Sequence, residues 1–265
     1  MPELPEVETA RRFVEHRALG HTSLRAEVAD LKMLEGGMGD LSELCCGSDL
    51  IGTARHGKNL FLDLGRGFVH IHLGMSGSLH FLGAGDGRTR HERFRMVMDH
   101  GSLVLDDPRR FGRFGFVRSV DGFVADRGLG PDVLSLTDME IAQRLGARRG
   151  AIKPILLDQR VMAGLGNLYA DEALFQSRLH PRMLVRDMPW EAGRLLGTKV
   201  REVMIASIEQ GTDFEGLPAG FLLRRRAAGE ACPRCGDALR TDTVGGRTTI
   251  FCGSCQKLPL PAHGD

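Results

Sequence analysis

The second residue of the chain, Pro2, could act as a nucleophile. A small residue at this position permits removal of the initiator methionine, so we expect the mature chain to begin with a free proline amine. An α-amino group has a pKa of about 7.7–8.0, far below that of a lysine side chain, and much of it is neutral near physiological pH. A neutral secondary amine attacks an aldehyde-level carbon to give an iminium ion, which then accepts electrons in an elimination.

Two carboxylates, Glu3 and Glu6, follow this amine. Residues three apart share a face at the start of a helix. One carboxylate could donate a proton to a sugar oxygen, and the other could position the amine. The alternative is structural, since an acidic first turn interacts favourably with the helix dipole. The sequence alone leaves both interpretations open.

Four cysteines near the C-terminus have the spacing of a zinc site. Cys232 and Cys235 form one Cys-x2-Cys pair, and Cys252 and Cys255 form another after sixteen residues. This pattern is typical of tetrahedral zinc bound by four thiolates. A segment this short cannot bury a stabilising core, so the metal would supply that stability. Because four cysteines close the coordination shell, we predict one structural Zn²⁺. Incidental thiols and a redox pair are the alternatives.

The segment between the two cysteine pairs contains Gly245-Gly-Arg-Thr-Thr249, which is typical of a hairpin tip. Arg247 could project from that tip onto a phosphate. The remaining cysteines, Cys45 and Cys46, have no partner pattern, and we expect both to be buried structural residues.

The charge of the whole chain gives only weak support for binding nucleic acid, because 35 basic residues nearly balance 34 acidic ones. The distribution of these charges along the chain matters more than the net charge. Two arginine clusters could bind phosphates or form solvated faces: Arg109, Arg110 and Arg113, and Arg224, Arg225 and Arg226. No apolar run reaches membrane-spanning length, and the acidic start does not fit a secretory signal. We therefore expect a cytoplasmic protein without a membrane partner.

The pattern along the chain divides it into a β-rich half, a helical half and a small C-terminal module. A helix is predicted from Pro5 to Leu19, and short apolar runs separated by glycines predict a mainly antiparallel sheet or barrel from about Thr22 to Ser119. The Gly- and Asp-rich stretch from Asp121 to Pro131 predicts a connector. Helical periodicity then predicts helices near Thr137–Leu145, Lys153–Arg160, Leu168–Leu179 and Trp190–Gln210, and a helix or strand over Leu217–Arg226.

Several blocks of sequence resemble the formamidopyrimidine-DNA glycosylase and endonuclease VIII family. They are Met1-Pro-Glu-Leu-Pro-Glu-Val-Glu-Thr9, His72-Leu-Gly-Met-Ser-Gly77, Asp107-Pro-Arg-Arg-Phe-Gly112, the segment Asp158–Leu174, and the four-cysteine tail. These blocks occur in the family's order and span nearly the whole chain.

The resemblance implies an α+β fold. An N-terminal helix and an antiparallel β-sandwich or barrel would form a catalytic domain over residues 2–120, followed by a linker over 121–136. A helical domain with a helix–two-turn–helix motif would occupy 137–228, and a zinc-finger β-hairpin 229–257.

The resemblance also assigns roles to individual residues. Pro2 would attack C1′ of the damaged nucleotide, Glu3 would protonate the deoxyribose ring oxygen, and Glu6 would support the hydrogen-bond network. Lys58 would contact the phosphate and the lesion. The alternative is a solvated lysine in a turn.

The implied DNA contacts are spread over the chain. Met75, Arg109 and Phe111 would fill the space left by a flipped base; core packing is the alternative for Met75 and Phe111. The other implied contacts are with phosphates or the lesion: His72, Lys153, Asn167 and Arg247.

The function implied is that of a bifunctional glycosylase and AP lyase, which removes oxidised purines from damaged double-stranded DNA as a monomer. The segment Gly211–Ala231 is shorter than the family's lesion-covering loop and lacks its Tyr-bearing stretch. One alternative is therefore an enzyme that acts mainly on oxidised pyrimidines or ring-opened bases. Another is a damage-binding protein without catalysis, and a zinc-ribbon transcription module would explain only the tail.

Overall fold

The computed structural model describes residues 2–258 and divides into two compact units, unit 1 (Met1–Gly128) and unit 2 (Leu129–Asp265). The division falls inside the linker predicted over 121–136. That predicted linker also contains a short helix, α3 (Val120–Asp126), capped by the Ser119 hydroxyl, which accepts a hydrogen bond from the Gly122 N–H. The composition of the stretch concealed this helix, because Phe123 is its single buried residue.

Unit 1 begins with the predicted helix, α1 (Leu4–Ala18). Its buried face includes Leu4, Val7 and Val14, which recur at helical spacing. The helix ends where Gly20 adopts a left-handed conformation, φ +80°, which favours glycine. A second helix, α2 (Met38–Cys45), packs against one strand before it, Thr22–Val28, and one after it, Arg113–Val117.

Ten strands of unit 1 form two five-stranded sheets, where the short apolar runs separated by glycines predicted a mainly antiparallel sheet or barrel. The orders are β3-β1-β8-β9-β7 and β2-β10-β6-β5-β4, and all pairs are antiparallel except β2 with β10. The strands are β1 (Thr22–Val28), β2 (Leu34–Glu35), β3 (Ser48–Asp49), β4 (Gly52–His56), β5 (Asn59–Asp63), β6 (Phe68–His72), β7 (Ser78–Gly83), β8 (Glu92–Met98), β9 (Gly101–Asp106) and β10 (Arg113–Val117).

The two sheets share one hydrophobic core, so unit 1 is a β-sandwich. Leu60 and Ile71 come from one sheet, Phe94 and Leu103 from the other, and all are fully or almost fully buried in one cluster that includes Val7 of α1. Burial of such a side chain contributes roughly 1.5–3 kcal/mol. The sandwich therefore fixes both the helix that carries Glu6 and the loops between strands.

Unit 2 is mainly helical. Its helices are α4 (Asp138–Gly146), α5 (Ile152–Leu157), α6 (Asn167–Gln176) and α7 (Trp190–Glu209). The predicted capping box of Thr137 and Glu140 is present at the start of α4. Helix α5 is shorter than predicted, because Asp158 accepts a hydrogen bond from the Arg160 N–H in a turn. The segment predicted as helix or strand over Leu217–Arg226 contains a 3₁₀ helix, Leu222–Arg225.

The last described part of unit 2 is a hairpin of β11 (Arg240–Val244) and β12 (Arg247–Phe251). Its two-residue tip, Gly245 and Gly246, has φ +58° and +71°. A type I′ turn requires positive φ at both central residues, which explains the two glycines. Among residues 2–258, no helix is both long and apolar enough to cross a membrane.

Candidate active site and nucleic-acid interface

The N-terminal residues form a hydrogen-bonded helix cap. Pro2 is half-buried and precedes α1, whereas Glu3 is fully buried at the N-cap position. The Glu3 N–H donates to Glu6 Oε2 at 2.8 Å, and the two glutamates form a reciprocal capping box. These two acids therefore have a structural role at the start of the helix. The same cap places both carboxylates in the turn next to Pro2.

Lys58 lies in the tight turn between β4 and β5. His56 pairs with Asn59 across this turn, and Gly57 has φ +57°, a left-handed conformation that favours glycine. The Asn59 amide donates to the His56 carbonyl at 3.2 Å, and its oxygen lies 3.0 Å from His70 Nε2. Hydrogen bonds to Asn59 thus hold the turn that presents Lys58.

His72 lies at the end of β6 with a defined tautomer. Its Nδ1 accepts a hydrogen bond from the Gly74 N–H at 3.0 Å. Because a backbone N–H can only donate, the neutral ring carries its proton on Nε2. Burial, and then the positive charge of Lys58, lower the pKa of His72. At neutral pH the side chain is therefore a neutral donor, which suits a phosphate oxygen.

Met75, Arg109 and Phe111 lie on two loops of unit 1 and are all exposed. Met75 is 39% and Phe111 49% exposed, which excludes core packing for these two apolar side chains. The guanidinium carbon of Arg109 lies 5.0 Å from the centre of the Phe111 ring, within cation–π distance. The loops thus present an arginine beside exposed apolar side chains.

A buried aspartate, Asp107, holds these loops together. Its carboxylate accepts hydrogen bonds from the Ser76 hydroxyl at 2.5 Å, the Gly112 N–H at 2.8 Å and the Arg109 N–H at 3.1 Å. Burial alone would raise the pKa of Asp107, but hydrogen bonds from Ser76, Gly112 and Arg109 outweigh it and hold the pKa below its usual range. Asp107 therefore stays ionised and fixes both loops.

The contact between the loops also requires a glycine at position 74. Gly74 has φ +62°, and a Cβ there would lie 2.4 Å from the carbonyl carbon of Phe111. Any other residue would push the two loops apart. Gly74 therefore allows the backbone of the Met75 loop to touch that of the Phe111 loop.

In unit 2, two of the predicted phosphate contacts lie near β12. Asn167 is the first residue of α6, and its Nδ2 donates to the Thr248 carbonyl at 2.8 Å. Arg247 is exposed next to the Gly245–Gly246 tip. The hydrogen bond from Asn167 joins the start of α6 to the strand that presents Arg247.

Lys153 lies in a buried ion pair, where the resemblance predicts a contact to the lesion. Its side chain is fully buried, and Nζ lies 2.6 Å from Asp171 Oδ1 and 2.6 Å from the Thr249 hydroxyl. Asp171 also accepts from Arg226 at 2.6 Å and from the Ile250 N–H at 3.0 Å. The structure therefore assigns Lys153 a place in the packing of α6 against β12, and a lesion contact stays a prediction.

The four predicted zinc ligands lie together. All four sulfur atoms are within 4.8 Å of one another, and none is in a disulfide. Cys232 and Cys255 are 3.9 Å apart, and Cys235 and Cys252 are 3.5 Å apart, between their Sγ atoms. Zinc–sulfur bonds of about 2.3 Å in a tetrahedron separate neighbouring sulfurs by roughly 3.8 Å. The four thiols fit one structural zinc ion.

Other sequence interpretations need correction. Cys45 is buried as expected, but Cys46 is exposed. Within the arginine clusters, Arg110 is paired with Asp30 and Arg226 with Asp171, so these two are not free phosphate ligands.

The sequence interpretation missed the positioning roles of Asp107 and Asp171. The first precedes Pro108 and a turn, where an aspartate often accepts backbone hydrogen bonds. The second is a charged residue inside the largely buried helix Asn167–Gln176. A charged residue is seldom buried without a partner, so its position in this helix could have indicated one.

Comparison with known proteins agrees with this architecture. Three family models match in succession: the formamidopyrimidine-DNA glycosylase N-terminal domain over residues 1–114, the formamidopyrimidine-DNA glycosylase H2TH domain over 128–216, and the zinc finger found in FPG and IleRS over 229–258.

Similar curated proteins include the formamidopyrimidine-DNA glycosylases of Salmonella arizonae and Salmonella paratyphi B. They are 35% and 34% identical over 270 residues, covering 97% of this chain and 100% of each relative. Similar solved structures include the Lactococcus lactis enzyme non-covalently bound to DNA with an AP site (TM-score 0.87, 28% identity) and MutM in complex with DNA containing carbocyclic 8-oxo-G (TM-score 0.86, 29% identity). Each comparison covers 97% of this chain and 100% of the solved one. The chain therefore belongs to the formamidopyrimidine-DNA glycosylase family.

Proposed function

We propose that this chain is a bifunctional DNA glycosylase and AP lyase of base excision repair, which removes 8-oxoguanine and formamidopyrimidines from duplex DNA. The observation that carries this proposal is the N-terminal cap, in which Glu3 and Glu6 are hydrogen-bonded to each other directly after Pro2. The family's solved structures include complexes with DNA carrying an AP site, carbocyclic 8-oxo-G or Fapy-dG.

The proposed reaction begins at the free amine of Pro2. Its lone pair attacks C1′ of the damaged nucleotide, and the base leaves with the glycosidic electron pair and takes up a proton. The amine then loses its own proton, Glu3 protonates the ring oxygen, and the sugar opens as the nitrogen lone pair forms the iminium double bond. The resulting iminium withdraws electrons, so loss of a C2′ proton expels the 3′ phosphate. A second elimination then expels the 5′ phosphate. Glu6 holds the Glu3 backbone in place throughout.

The glycosidic carbon is inaccessible in a stacked duplex, so the nucleotide must be flipped out. The exposure of Met75 and Phe111 supports the proposal that they fill the vacated space, with Arg109 donating to the orphaned base. His72, with a proton on Nε2, and Lys58 would bind phosphates near the lesion.

In unit 2, Asn167 and Arg247 would bind further phosphates. An amide nitrogen has two N–H groups, so the bond from Asn167 to Thr248 leaves one for DNA. Lys153 would act on the lesion only by leaving its pair with Asp171. Phosphate contacts carry no sequence code, which suits a search for damage.

One observation favours a second substrate class, oxidised pyrimidines or ring-opened bases. The segment Gly211–Ala231 is held against α6, where Glu172 accepts from the Leu223 N–H at 2.7 Å and Gln176 donates to the Gly220 carbonyl at 2.9 Å. A segment fixed in this way is poorly placed to close over an extruded 8-oxoguanine.

Borohydride trapping tests both proposals. Duplexes with 8-oxoguanine, a formamidopyrimidine, an oxidised pyrimidine or an abasic site would be treated with the wild type and with Pro2→Gly and Glu3→Gln, after mass spectrometry confirms loss of Met1. Pro5→Ala, three residues further on in the same cap, is the matched control. We expect a covalent adduct on abasic DNA that Pro2→Gly weakens and Pro5→Ala preserves. Tight binding without any adduct would leave a damage-binding protein. The adduct yields on the three base lesions would rank the substrates.

We further propose that the protein works as a monomer in the bacterial cytoplasm, associated with the nucleoid through DNA. The curated relatives above come from Salmonella. Light scattering after size-exclusion chromatography would test the monomer, and fluorescence microscopy of a C-terminal fusion would test nucleoid association.

A further inference from the structure

A second group of metal-binding side chains lies in unit 1, apart from the four cysteines. His21 lies between α1 and β1, and Asp99 and His100 form the turn between β8 and β9. Asp99 Oδ1 lies 3.1 Å from His21 Nδ1 and 2.8 Å from His100 Nδ1. The three side chains are 32–44% exposed, so a solvated ion can reach them.

The hydrogen bonds of His100 fix the direction of both of its ring nitrogens. His100 Nε2 lies 2.9 Å from the Arg17 carbonyl, which can only accept, so Nε2 carries a proton. The other ring nitrogen, Nδ1, faces the Asp99 carboxylate from 2.8 Å. An imidazole nitrogen and a carboxylate oxygen are both zinc ligands, so one cation could bind to both atoms.

Hydrogen bonds with the backbone hold Asp99 and His100 in position before any ion binds. The Thr22 N–H donates to Asp99 Oδ2 at 3.3 Å, and the Asp99 N–H donates to the Thr22 carbonyl at 3.0 Å. The rings of His21 and His100 are stacked with centres 3.4 Å apart, and Phe81 packs 4.8 Å from His100. Because stacked rings direct their nitrogen lone pairs in parallel, the half-exposed ring of His21 would rotate for both nitrogens to face one ion. A histidine that binds metal commonly donates its other N–H to a carbonyl, as His100 does to Arg17.

We propose that His21, Asp99 and His100 bind a divalent transition-metal cation, of which Zn²⁺ is the best match. Two imidazole nitrogens and one carboxylate oxygen suit zinc, with water as fourth ligand. Bonds of about 2.0–2.1 Å in a tetrahedron separate neighbouring ligand atoms by roughly 3.3 Å. The two distances to Asp99 would open by a few tenths of an ångström on binding. The ion would clip the end of α1 to the β8–β9 turn.

Calorimetric titration of untagged protein with Zn²⁺ tests this proposal, starting from protein whose four-cysteine site already holds one zinc. We expect one further equivalent to bind in the wild type. His100→Ala, His21→Ala and Asp99→Asn should each weaken this binding by at least about tenfold. His16→Ala, an exposed histidine of α1 outside the group, is the matched control and should leave it unchanged.

Thermal unfolding provides a second measurement, since a cation bound only to the folded chain raises the midpoint. Added Zn²⁺ should raise the midpoint of the wild type and of His16→Ala, but not of Asp99→Asn. Circular dichroism confirms that each variant is folded. Absence of a further equivalent at millimolar free Zn²⁺, or its persistence in all three ligand variants, would overturn the proposal and leave His100 as a hydrogen-bond partner of Asp99 only.

Discussion

Each unit places one fully buried aspartate behind its candidate DNA-binding residues, but the partners of the two aspartates differ. Asp107 in unit 1 accepts hydrogen bonds from a hydroxyl and backbone N–H groups. Asp171 in unit 2 accepts from the Ile250 N–H and is paired with two cations, Lys153 and Arg226. The Asp107 carboxylate is stabilised by the dipoles of neutral groups, and the Asp171 carboxylate mainly by two positively charged side chains.

This difference determines what removal of each carboxylate leaves behind. Without Asp107, neutral N–H groups lose an acceptor, and the loops of Met75 and Phe111 lose their alignment. Without Asp171, a cation remains buried without its counter-charge, which costs far more. We therefore expect loss of the Asp107 carboxylate to reduce activity through a local change in unit 1. Loss of the Asp171 carboxylate should instead reduce the free energy of unfolding of unit 2.

Removal of zinc should have the largest effect and sharpens this comparison within unit 2. Structural zinc contributes roughly 10–16 kcal/mol in isolated zinc-finger peptides, because the metal replaces a hydrophobic core. Cys252→Ser should unfold the hairpin and release Arg247, with loss of DNA affinity measured by fluorescence anisotropy. Cys46→Ser is the matched control and should bind normally. Normal affinity of a zinc-free Cys252→Ser protein would contradict the assignment.

Asp171→Asn should have the next largest effect, since it keeps the shape of the side chain and removes its charge. Loss of one partner of a buried ion pair costs about 3–5 kcal/mol, which urea unfolding would measure. The double variant Asp171→Asn/Lys153→Met removes the orphaned ammonium and should recover much of the loss. No recovery would show that the charge of Lys153 is not the cause.

Glu172 should make the stability of unit 2 depend on pH. Burial of its carboxyl group raises the pKa to about 7, against the opposing hydrogen bonds from Gln176 and Leu223. Between about pH 4.3 and 7 the folded chain retains a proton that the unfolded chain releases, so the free energy of unfolding falls as the pH rises, by roughly 3–4 kcal/mol. Glu172→Gln should lack this fall in urea unfolding at pH 5 and 8. An equal fall in the free energy of unfolding from pH 5 to pH 8 in both proteins would contradict this prediction.

Asp107→Asn should have the smallest effect on stability and a larger one on excision. An amide in place of the carboxylate turns one acceptor into a donor facing N–H groups, at a cost of about 1–3 kcal/mol. Excision of the lesion should fall much further in single-turnover assays, because Arg109 and Phe111 lose their position. Asp106→Asn, whose carboxylate accepts from the His91 N–H, is the matched control. Equal loss of activity in both would weaken the positioning role.

Much of the fold could be predicted because its signals are local. Helix α7 ends within one residue of its prediction, and the spacing of the cysteines was enough to expect their cluster. The burial of Lys153 could not be predicted in this way. Its partner Asp171 meets Arg226 and Ile250, which lie 55 and 79 residues away in the sequence. Such contacts depend on the tertiary fold and leave no periodic pattern.

The cap formed by Glu3 and Glu6 has an evolutionary consequence. Catalytic groups are often held at some expense of stability, so mutations that abolish activity can make a protein more stable. Here the same two carboxylates start helix α1, and loss of an N-terminal cap typically costs about 1 kcal/mol. Mutation away from activity at these positions also weakens the fold, so selection for a folded chain protects the residues of the proposed chemistry even while no lesion is present.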